Sequence, residues 1–208
     1  MTTSSENISR KKTIVREYVE AILIALVLAI FIRTFVVQAF KIPSGSMIPT
    51  LLIGDHILVS KFVYGIKNPF TGKVVIPVQD PARNDVIVFK YPLNRSQDFI
   101  KRVIGLPGDS VQIIDKKVFV NGNPLADDKG EFSDNSVLSE GPRDNFGPIT
   151  VPPQSLFVMG DNRDNSHDSR FWRFVDYRDI KGKAFVMYWS WNREEFSVRW
   201  RRIGSFIR

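Results

Sequence analysis

An unbroken apolar run from Ala21 to Ile32 is the strongest constraint on how this chain folds. Apolar residues continue on both sides, so the segment from Tyr18 to about Val37 approaches the ~20 residues with which a helix spans a bilayer. Basic residues precede the run: Arg10, Lys11, Lys12 and Arg16. Basic residues beside a membrane helix keep that end of the helix in the cytoplasm. The sequence therefore predicts a cytoplasmic basic tail over residues 1–17, a single transmembrane helix over residues 18–39 and an extracytoplasmic domain over residues 40–208.

Two other interpretations fit a basic and then apolar N-terminus. A cleaved signal peptide has an apolar core of about 7–15 residues and then a cleavage site with small residues. Here the apolar character continues through Phe35 and Val36, and no such site follows. A buried helix of a soluble protein is the second alternative. The length of the segment favours a retained anchor, with Arg33 near the outer end, where its long side chain reaches the interface.

Composition limits the chemistry of the rest of the chain. Cysteine is absent, which excludes disulfides and thiolate zinc sites, and the two histidines are too few for a histidine-based metal site. We therefore expect no metal and no cofactor. The formal net charge of +7 is compatible with nucleic acid or with anionic lipid. Because part of that charge lies beside the apolar segment, we expect a phospholipid membrane as partner, and no nucleic acid.

Beyond Phe40 the apolar residues recur with a period near two, which is typical of β-strands. Strands are predicted over Ile57–Tyr64, Asp85–Tyr91, Ser110–Ile114, Val118–Asn121, Leu156–Met159 and Lys183–Trp191. Asp, Asn, Ser, Gly and Pro are frequent from Asp127 to Pro153, which predicts a loop or a small surface insert. We therefore predict a mainly β fold: an antiparallel sheet domain with a small inserted subdomain at about residues 110–155, preceded by one N-terminal transmembrane helix.

Ser46 lies in the segment Pro43–Leu51, here called the serine loop. A serine hydroxyl becomes an effective nucleophile only with a nearby base and with donors for an oxyanion. Gly45 allows a substrate to approach the backbone closely, and prolines on both sides stiffen the loop. The Ser46 amide and the Ser44 hydroxyl are the candidate oxyanion donors. The alternative is an ordinary turn, which Ser, Gly and Pro commonly form.

Lys101 has apolar neighbours on both sides in the sequence: Phe99, Ile100, Val103 and Ile104. Lysine is normally protonated at neutral pH, because its reference pKa is about 10.4. Burial among apolar groups disfavours the ammonium and lowers this pKa, by up to about 3–5 units when burial is complete. A lysine buried in this way can act as a base. The residues alone give Lys101 little advantage over Lys61 or Lys90.

The segment Gly160–Arg170, here called the polar loop, contains carboxylates and amides that can tie a turn together through side-chain hydrogen bonds to the backbone. For most of its residues we interpret it as a rigid structural loop. Its histidine also permits a second catalytic hypothesis, a triad of Ser46, His167 and an aspartate.

These three segments, directly after a membrane anchor, resemble the sequence boxes of the bacterial type I signal peptidases, or leader peptidases. The resemblance implies a Ser–Lys dyad, with Ser46 as the nucleophile and Lys101 as the general base. It implies that Ser166 hydrogen-bonds the lysine and orients it. It also implies that Asp168 and Arg170 form an ion pair that supports the lysine.

A fourth segment, Ala82–Phe89, resembles the remaining box of the family. Asn84 occupies a position where glycine is expected, and asparagine tolerates left-handed backbone better than most residues. Near the C-terminal end, aromatic residues and arginines are compatible with either a membrane-facing surface or ordinary core packing: Phe171, Trp172, Trp189, Trp191, Trp200, Arg199, Arg201 and Arg202.

The family resemblance implies a membrane-anchored serine endopeptidase of the bacterial cytoplasmic membrane, with its N-terminus in the cytoplasm. The implied reaction is removal of N-terminal signal peptides from exported preproteins, with cleavage after small residues. Shallow apolar pockets beside the nucleophile would select those residues. The resemblance assigns these pockets to Phe40, Ile42, Pro43 and Ile100.

Two functions remain as alternatives. A self-cleaving repressor-type protease shares the Ser–Lys dyad, but the anchor and the polar loop argue against it. A basic, membrane-tethered binding domain without catalysis would require that the serine loop and the lysine segment be structural only. Short matches to β-lactamase motifs at Ser9–Lys12 and Ser133–Asn135 are dismissed, because the anchor would place them on opposite sides of the membrane.

Overall fold

The computed structural model describes residues 3–67 and 74–208, and describes side chains from residue 16 onward except at positions 34–35. It contains two compact units, Met1–Val37 and Gln38–Arg208. The first consists of a helix, α1 (Thr3–Phe31), and a π-helical turn at Ile32–Val36. Apolar side chains of α1 from Tyr18 to Phe31 are exposed. No helix within the described residues combines the length and the hydropathy needed to cross a membrane. The side chains of Arg10, Lys11 and Lys12 lie outside the described part.

The second unit is built mainly of β-strands joined by short turns. In chain order these are β1 (Val37–Lys41), β2 (Asp55–Ser60), β3 (Ile66–Lys67), β4 (Val74–Ile76), β5 (Val86–Tyr91), β6 (Asn94–Gly105), β7 (Ser110–Ile114), β8 (Lys117–Val120), β9 (Asn123–Pro124), β10 (Phe146–Thr150), β11 (Ser155–Met159), β12 (Val175–Asp176), β13 (Ile180–Asn192) and β14 (Ser197–Val198). A short helix, α2 (Ser169–Trp172), follows β11, and 3-10 turns occupy Arg163–Asn165, Tyr177–Asp179 and Trp200–Arg202.

The main sheet has the strand order β1-β2-β13-β5-β6-β11-β12, with β14 paired to β13. Its pairs of described register are antiparallel. Apolar side chains cover both faces, as β5 shows. Val86 and Val88 belong to one core cluster with Met47 and Leu51, whereas Ile87 and Phe89 belong to a second. Successive side chains of a strand point to opposite faces, so β5 is apolar throughout its buried part.

A second sheet, of order β10-β7-β8-β9, is formed by the region predicted as an insert, which is called the insert (residues 110–155) below. The β7–β8 hairpin turns at Asp115 and Lys116, which both have positive φ, as a tight two-residue hairpin requires. The side chains of this sheet pack with Ile104, Phe157 and Met159 of the main sheet in a third core cluster.

The prediction of a mainly β, antiparallel fold is confirmed, and each predicted strand coincides with an observed one to within a few residues. Of the two alternatives for Asp127–Pro153, a loop or a small surface insert, the loop does not hold at Phe146–Thr150, because β10 pairs there with β7. The longest unpredicted strand is β6 (Asn94–Gly105). Its residues Asn94–Asp98 are polar and exposed and carry no apolar alternation, and the adjacent Lys101 and Arg102 interrupt the apolar residues of its second half.

Asn84, the residue at the expected glycine position, has a φ of 70° and so adopts the left-handed conformation. Its amide donates to the carbonyl of Val103 at 2.9 Å, and its own carbonyl accepts a hydrogen bond from Arg102 at 2.8 Å. The turn into β5 is therefore formed with asparagine in the role that glycine commonly fills.

Candidate active site

Ser46 and Lys101, which are far apart in the sequence, meet at one end of a cleft. Ser46 lies in the serine loop between β1 and β2, and Lys101 lies in β6. The Lys101 Nζ donates a hydrogen bond of 2.8 Å to the Ser46 Oγ and another of 3.0 Å to the carbonyl of Ile100. Lys101 is only 4% exposed, and its Nζ lies 5.3 Å from the ring centroid of Phe99. The predicted nucleophile and base are thus in direct contact.

Burial lowers the pKa of Lys101 to about 8, because the low-dielectric surroundings disfavour the ammonium. The negative charges of Asp168 and Asp161 act in the opposite direction, and the positive charge of Arg170 adds to the lowering. A substantial fraction of this amine is therefore neutral near pH 8, whereas an ordinary lysine is almost fully protonated there. The neutral amine can accept a proton from the serine hydroxyl with which it is in contact.

Two buried apolar side chains anchor the serine loop in the core. Met47, next to Ser46, and Leu51 are fully buried in the core cluster that covers one face of the main sheet. Burying such side chains contributes about 1.5–3 kcal/mol each relative to exposure. These two anchors fix the turn that directly follows Ser46.

The polar loop holds the serine loop from the other side. The Asn162 amide donates to the carbonyl of Ser46 at 3.1 Å, and the Asn162 Nδ2 donates to the carbonyl of Gly45 at 3.1 Å. Gly160 permits this approach, because a Cβ at its position would lie 2.3 Å from the Ser46 carbonyl oxygen and 2.2 Å from the Ser166 Oγ. The sequence indicated a structural role for most of the polar loop but did not single out Gly160 or Asn162. The one available signal was the glycine that opens the loop.

The candidate oxyanion donors face a cleft of about 700 Å³ that Ser44, Ser46 and Lys101 line together. In the described part of the chain, neither the Ser46 amide nor the Ser44 hydroxyl donates a hydrogen bond to another residue. Ser44 is exposed. Both groups are therefore free to bind an oxygen atom of a molecule in the cleft.

Ser166 is buried close to this site, but its expected hydrogen bond to Lys101 is not formed. The Ser166 Oγ has no hydrogen-bond partner among the described residues. The physical reason is that the Lys101 Nζ is directed to Ser46 and to the carbonyl of Ile100, while Ser166 packs against Gly160. The hydroxyl is a spare polar group beside the lysine.

Asp168 and Arg170 form the ion pair that the sequence resemblance implied. Two hydrogen bonds of 2.8 Å join the Arg170 Nε and Nη2 to the two carboxylate oxygens of Asp168. Both side chains are buried. Asp168 also accepts a hydrogen bond from the Gly160 amide, and Arg170 donates to the carbonyl of Arg163 at 2.6 Å. The pair therefore ties the two ends of the polar loop together.

A second buried ion pair, Arg102 with Asp161, was not predicted as a pair, because nothing in the sequence links two residues so far apart. The Arg102 Nη2 lies 2.6 Å from an oxygen of Asp161, and both side chains are fully buried. The Thr50 hydroxyl donates to the same carboxylate at 2.5 Å. This network joins the serine loop, β6 and the polar loop immediately behind the dyad.

The predicted pocket residues also come together. Phe40, Ile42, Pro43 and Ile100 line one small cavity of about 40 Å³, and Ile57, Val88 and Phe99 complete its apolar walls. Pro43 and Ile100 line the larger cleft as well, so the cavity adjoins the cleft that contains Ser46. The cavity has room only for a small apolar group.

Two of the other candidate bases, His167 and Lys90, do not contact the Ser46 hydroxyl. His167 lies on the exposed rim of the cleft, where its Nε2 is 3.2 Å from the Tyr91 hydroxyl. The described hydrogen bond of the Ser46 hydroxyl is with Lys101 and not with His167. Lys90 is exposed on β5. A triad based on His167 is therefore not formed.

Comparison with known proteins identifies a family. A family model described as "Signal peptidase, peptidase S26" matches residues 15–189 of this chain. The chain is similar to Signal peptidase I of Pseudomonas aeruginosa, with 39% identity over 212 residues that cover 87% of this chain and 75% of that protein. It is similar to Signal peptidase I of Aquifex aeolicus, with 38% identity and 84% coverage of each chain. A crystal structure of a signal peptidase I from Enterococcus faecalis V583 covers 50% of this chain and 97% of its own, with 32% identity and a TM-score of 0.41.

The buried pair behind the dyad generates a stability prediction. Replacing Arg102 by methionine leaves the Asp161 carboxylate buried without its cationic partner, and we expect a loss of about 3–5 kcal/mol in the free energy of unfolding. Arg178→Met is the matched control, because Arg178 pairs with Asp176 but is 69% exposed. We expect it to change stability by at most about 1 kcal/mol. Urea unfolding of both variants measures the difference; equal losses would contradict the assignment.

Proposed function

The chain belongs to the signal peptidase family, peptidase S26, and we propose that it removes signal peptides from preproteins with Ser46 as nucleophile and Lys101 as general base. The observation that carries this proposal is the 2.8 Å hydrogen bond between the Lys101 Nζ and the Ser46 Oγ at a lysine that is almost fully buried. A surface binding module has no need of a desolvated lysine against a serine hydroxyl, whereas a serine nucleophile requires such a base.

In the proposed mechanism, neutral Lys101 takes the hydroxyl proton as Ser46 attacks the carbonyl carbon of the scissile peptide. The Ser46 amide and the Ser44 hydroxyl hold the resulting oxyanion. The protonated lysine then gives its proton to the departing amine, which leaves an ester between Ser46 and the signal peptide. Water, activated by the same lysine, hydrolyses that ester and regenerates the enzyme. Asp168 and Arg170 support the lysine in this scheme, because their charges act on its amine.

The proposed specificity follows from the small cavity beside Ser46. A substrate side chain that enters a space of about 40 Å³ must be small, because a larger one overlaps the walls formed by Ile42 and Ile100. Signal peptides carry small residues next to their cleavage sites. We propose that Phe40 and Pro43 complete the site that selects them.

We also propose that α1 anchors the chain in the bacterial cytoplasmic membrane, with the N-terminus in the cytoplasm and the β domain outside. The exposed apolar side chains from Tyr18 to Phe31 support this proposal, since water would be an unfavourable surrounding for such a surface. The aromatic residues divide between the two predicted roles. Trp172 is buried in the core, whereas Trp200 is exposed and Trp189 is partly exposed beside it. Only the exposed ones can contact lipid.

The dyad is tested by cleavage of a purified preprotein in detergent. We expect Ser46→Ala and Lys101→Ala each to lower kcat/KM by about 10³-fold or more, because the nucleophile and its base act as one unit. Lys90→Ala is the matched control, since it removes an exposed lysine from the neighbouring strand, and it should cleave like the wild type. Circular dichroism verifies that each variant is folded. A folded Lys101→Ala variant with full activity would refute the assignment.

The pH dependence of cleavage tests the protonation state of the base. Because the neutral amine is the active form and the pKa of Lys101 is about 8, kcat/KM should fall as the pH drops below about 8. The limiting slope is about tenfold per pH unit, as for loss of one proton-accepting group. Above pH 8 the rate should level off. An acid limb centred near pH 10, the value for an exposed lysine, would contradict a buried base.

Alkaline carbonate extraction of bacterial membranes tests the anchor. The full chain should remain in the membrane pellet. Leu23→Arg combined with Leu26→Arg should release it, because each charge costs about 2.5–3.5 kcal/mol near the centre of a membrane helix. Val75→Arg combined with Val78→Arg is the matched control, since these apolar residues are equally exposed but lie outside α1. Release of the wild type, or of both variants alike, would contradict the proposal.

A further inference from the structure

We propose that the segment Asp128–Asp134 of the insert, here called the arm, is a positioning element of the active site that holds the polar loop against Ser46 and Lys101. This inference rests on the proposed function of the dyad and gives the insert a role in the same reaction. The supporting observations are the hydrogen bonds and the ion pair between the arm and the polar loop.

The arm pairs with the polar loop through the backbone. The Glu131 amide donates to the carbonyl of Asp161 at 2.7 Å, and the Arg163 amide donates to the carbonyl of Glu131 at 2.9 Å. Together these form a parallel β-bridge between Glu131 and Asn162. Asn162 is the residue whose amide and side chain donate to the carbonyls of Ser46 and Gly45. The arm therefore hydrogen-bonds the backbone on either side of Asn162, and Asn162 itself hydrogen-bonds the serine loop.

A buried arginine strengthens this contact. The side chain of Arg163 is almost fully buried and forms a two-pronged ion pair with the carboxylate of Asp128, in which the Nη1 to Oδ2 distance is 2.8 Å. Its Nε also donates to the carbonyl of Gly160 at 3.2 Å. Gly130 makes room for it, because a Cβ at that position would lie 2.2 Å from the Arg163 Cζ. The arm is thus shaped to receive a guanidinium from the polar loop.

The C-terminal end of the arm hydrogen-bonds the next residues of the polar loop. Asp164 accepts hydrogen bonds from the amides of Ser133 and Asp134, at 2.8 Å and 3.1 Å, and from the Lys116 Nζ at 2.9 Å. The Asn165 side chain donates to the Ser133 hydroxyl at 2.9 Å. Asp161, Arg163, Asp164 and Asn165 of the polar loop are therefore each hydrogen-bonded to the insert just before the loop reaches Ser166.

The polar loop that the arm holds lies close to Lys101. The charged groups that act on the lysine all come from the polar loop: Asp161, Asp168 and Arg170. Ser166 of the same loop is buried beside them. If the arm releases the loop, water reaches the Lys101 amine, the desolvation that lowers its pKa is relieved, and less of the amine is neutral at a given pH. The hydrogen bonds that orient the Ser46 backbone weaken at the same time.

Asp128→Asn in the full chain tests the proposal, because it removes the charge that binds Arg163 while it preserves side-chain size. We expect kcat/KM to fall by about tenfold, as small displacements of catalytic groups produce. We also expect the acid limb of the pH profile to move to higher pH. Asp127→Asn is the matched control, since within the described residues the ion pair of the neighbouring carboxylate is with exposed Lys129, and it should leave both quantities unchanged. Asp128→Glu, which retains the charge, should restore most of the loss.

The proposal is overturned if Asp128→Asn cleaves like Asp127→Asn, or if its rate falls only with its folded fraction while the acid limb stays in place. A merely structural role would produce that second result. Should Asp128→Asn fail to fold, Gly130→Ala tests the same contact, because its methyl group displaces the Arg163 guanidinium. Ser46→Ala, measured in the same assay, distinguishes failure of the dyad from failure of the positioning role. Cleavage by Ser46→Ala would refute the dyad. Loss of cleavage in Ser46→Ala together with wild-type behaviour of Asp128→Asn would refute only the role of the arm.

Discussion

The exclusion of water from the Lys101 amine is the constraint on which the rest of this structure depends. An amine beside a serine hydroxyl is of no use as a base while it is protonated, and burial is the largest effect that disfavours that state here. The surrounding elements serve this burial. β6 carries the lysine among apolar neighbours, the Phe99 ring lies near its amine, and the serine loop brings the Ser46 hydroxyl into contact with it.

Charged groups near Lys101 shift its pKa in opposite directions. Buried carboxylates near Lys101 favour its protonated form, yet each of them is matched by an arginine: Asp161 by Arg102 and Asp168 by Arg170. Desolvation is larger than the charge effects of these groups, so the pKa of Lys101 is lowered. The same two pairs connect the serine loop, β6 and the polar loop, which means that the electrostatic balance and the geometry of the site are maintained by the same side chains.

Local patterns predicted much of this arrangement, and the failures have a common cause. Apolar alternation identified β5, β7, β11 and the core of β13, and the neighbours of Lys101 indicated a buried lysine. Contacts between distant segments left no local signal, as for Arg102 with Asp161 or Asn162 with Ser46. β10 was missed because its pairing with β7, and not its composition, makes it a strand. The expected partner of Lys101, Ser166, came from resemblance alone, and a hydroxyl can be close without being bonded.

The hydrogen bond from the Asn162 side chain to the carbonyl of Gly45 has a consequence for the neighbouring amide. A peptide unit is planar and trans, so its C=O and N–H point in opposite directions. The carbonyl of Gly45 and the amide of Ser46 belong to the same unit. Holding the oxygen toward Asn162 therefore aims the hydrogen away from it and opposes a peptide flip. It also polarises the unit, which makes that N–H a stronger donor. The dipole is oriented before any substrate arrives, and no reorganisation is needed when negative charge develops in front of it.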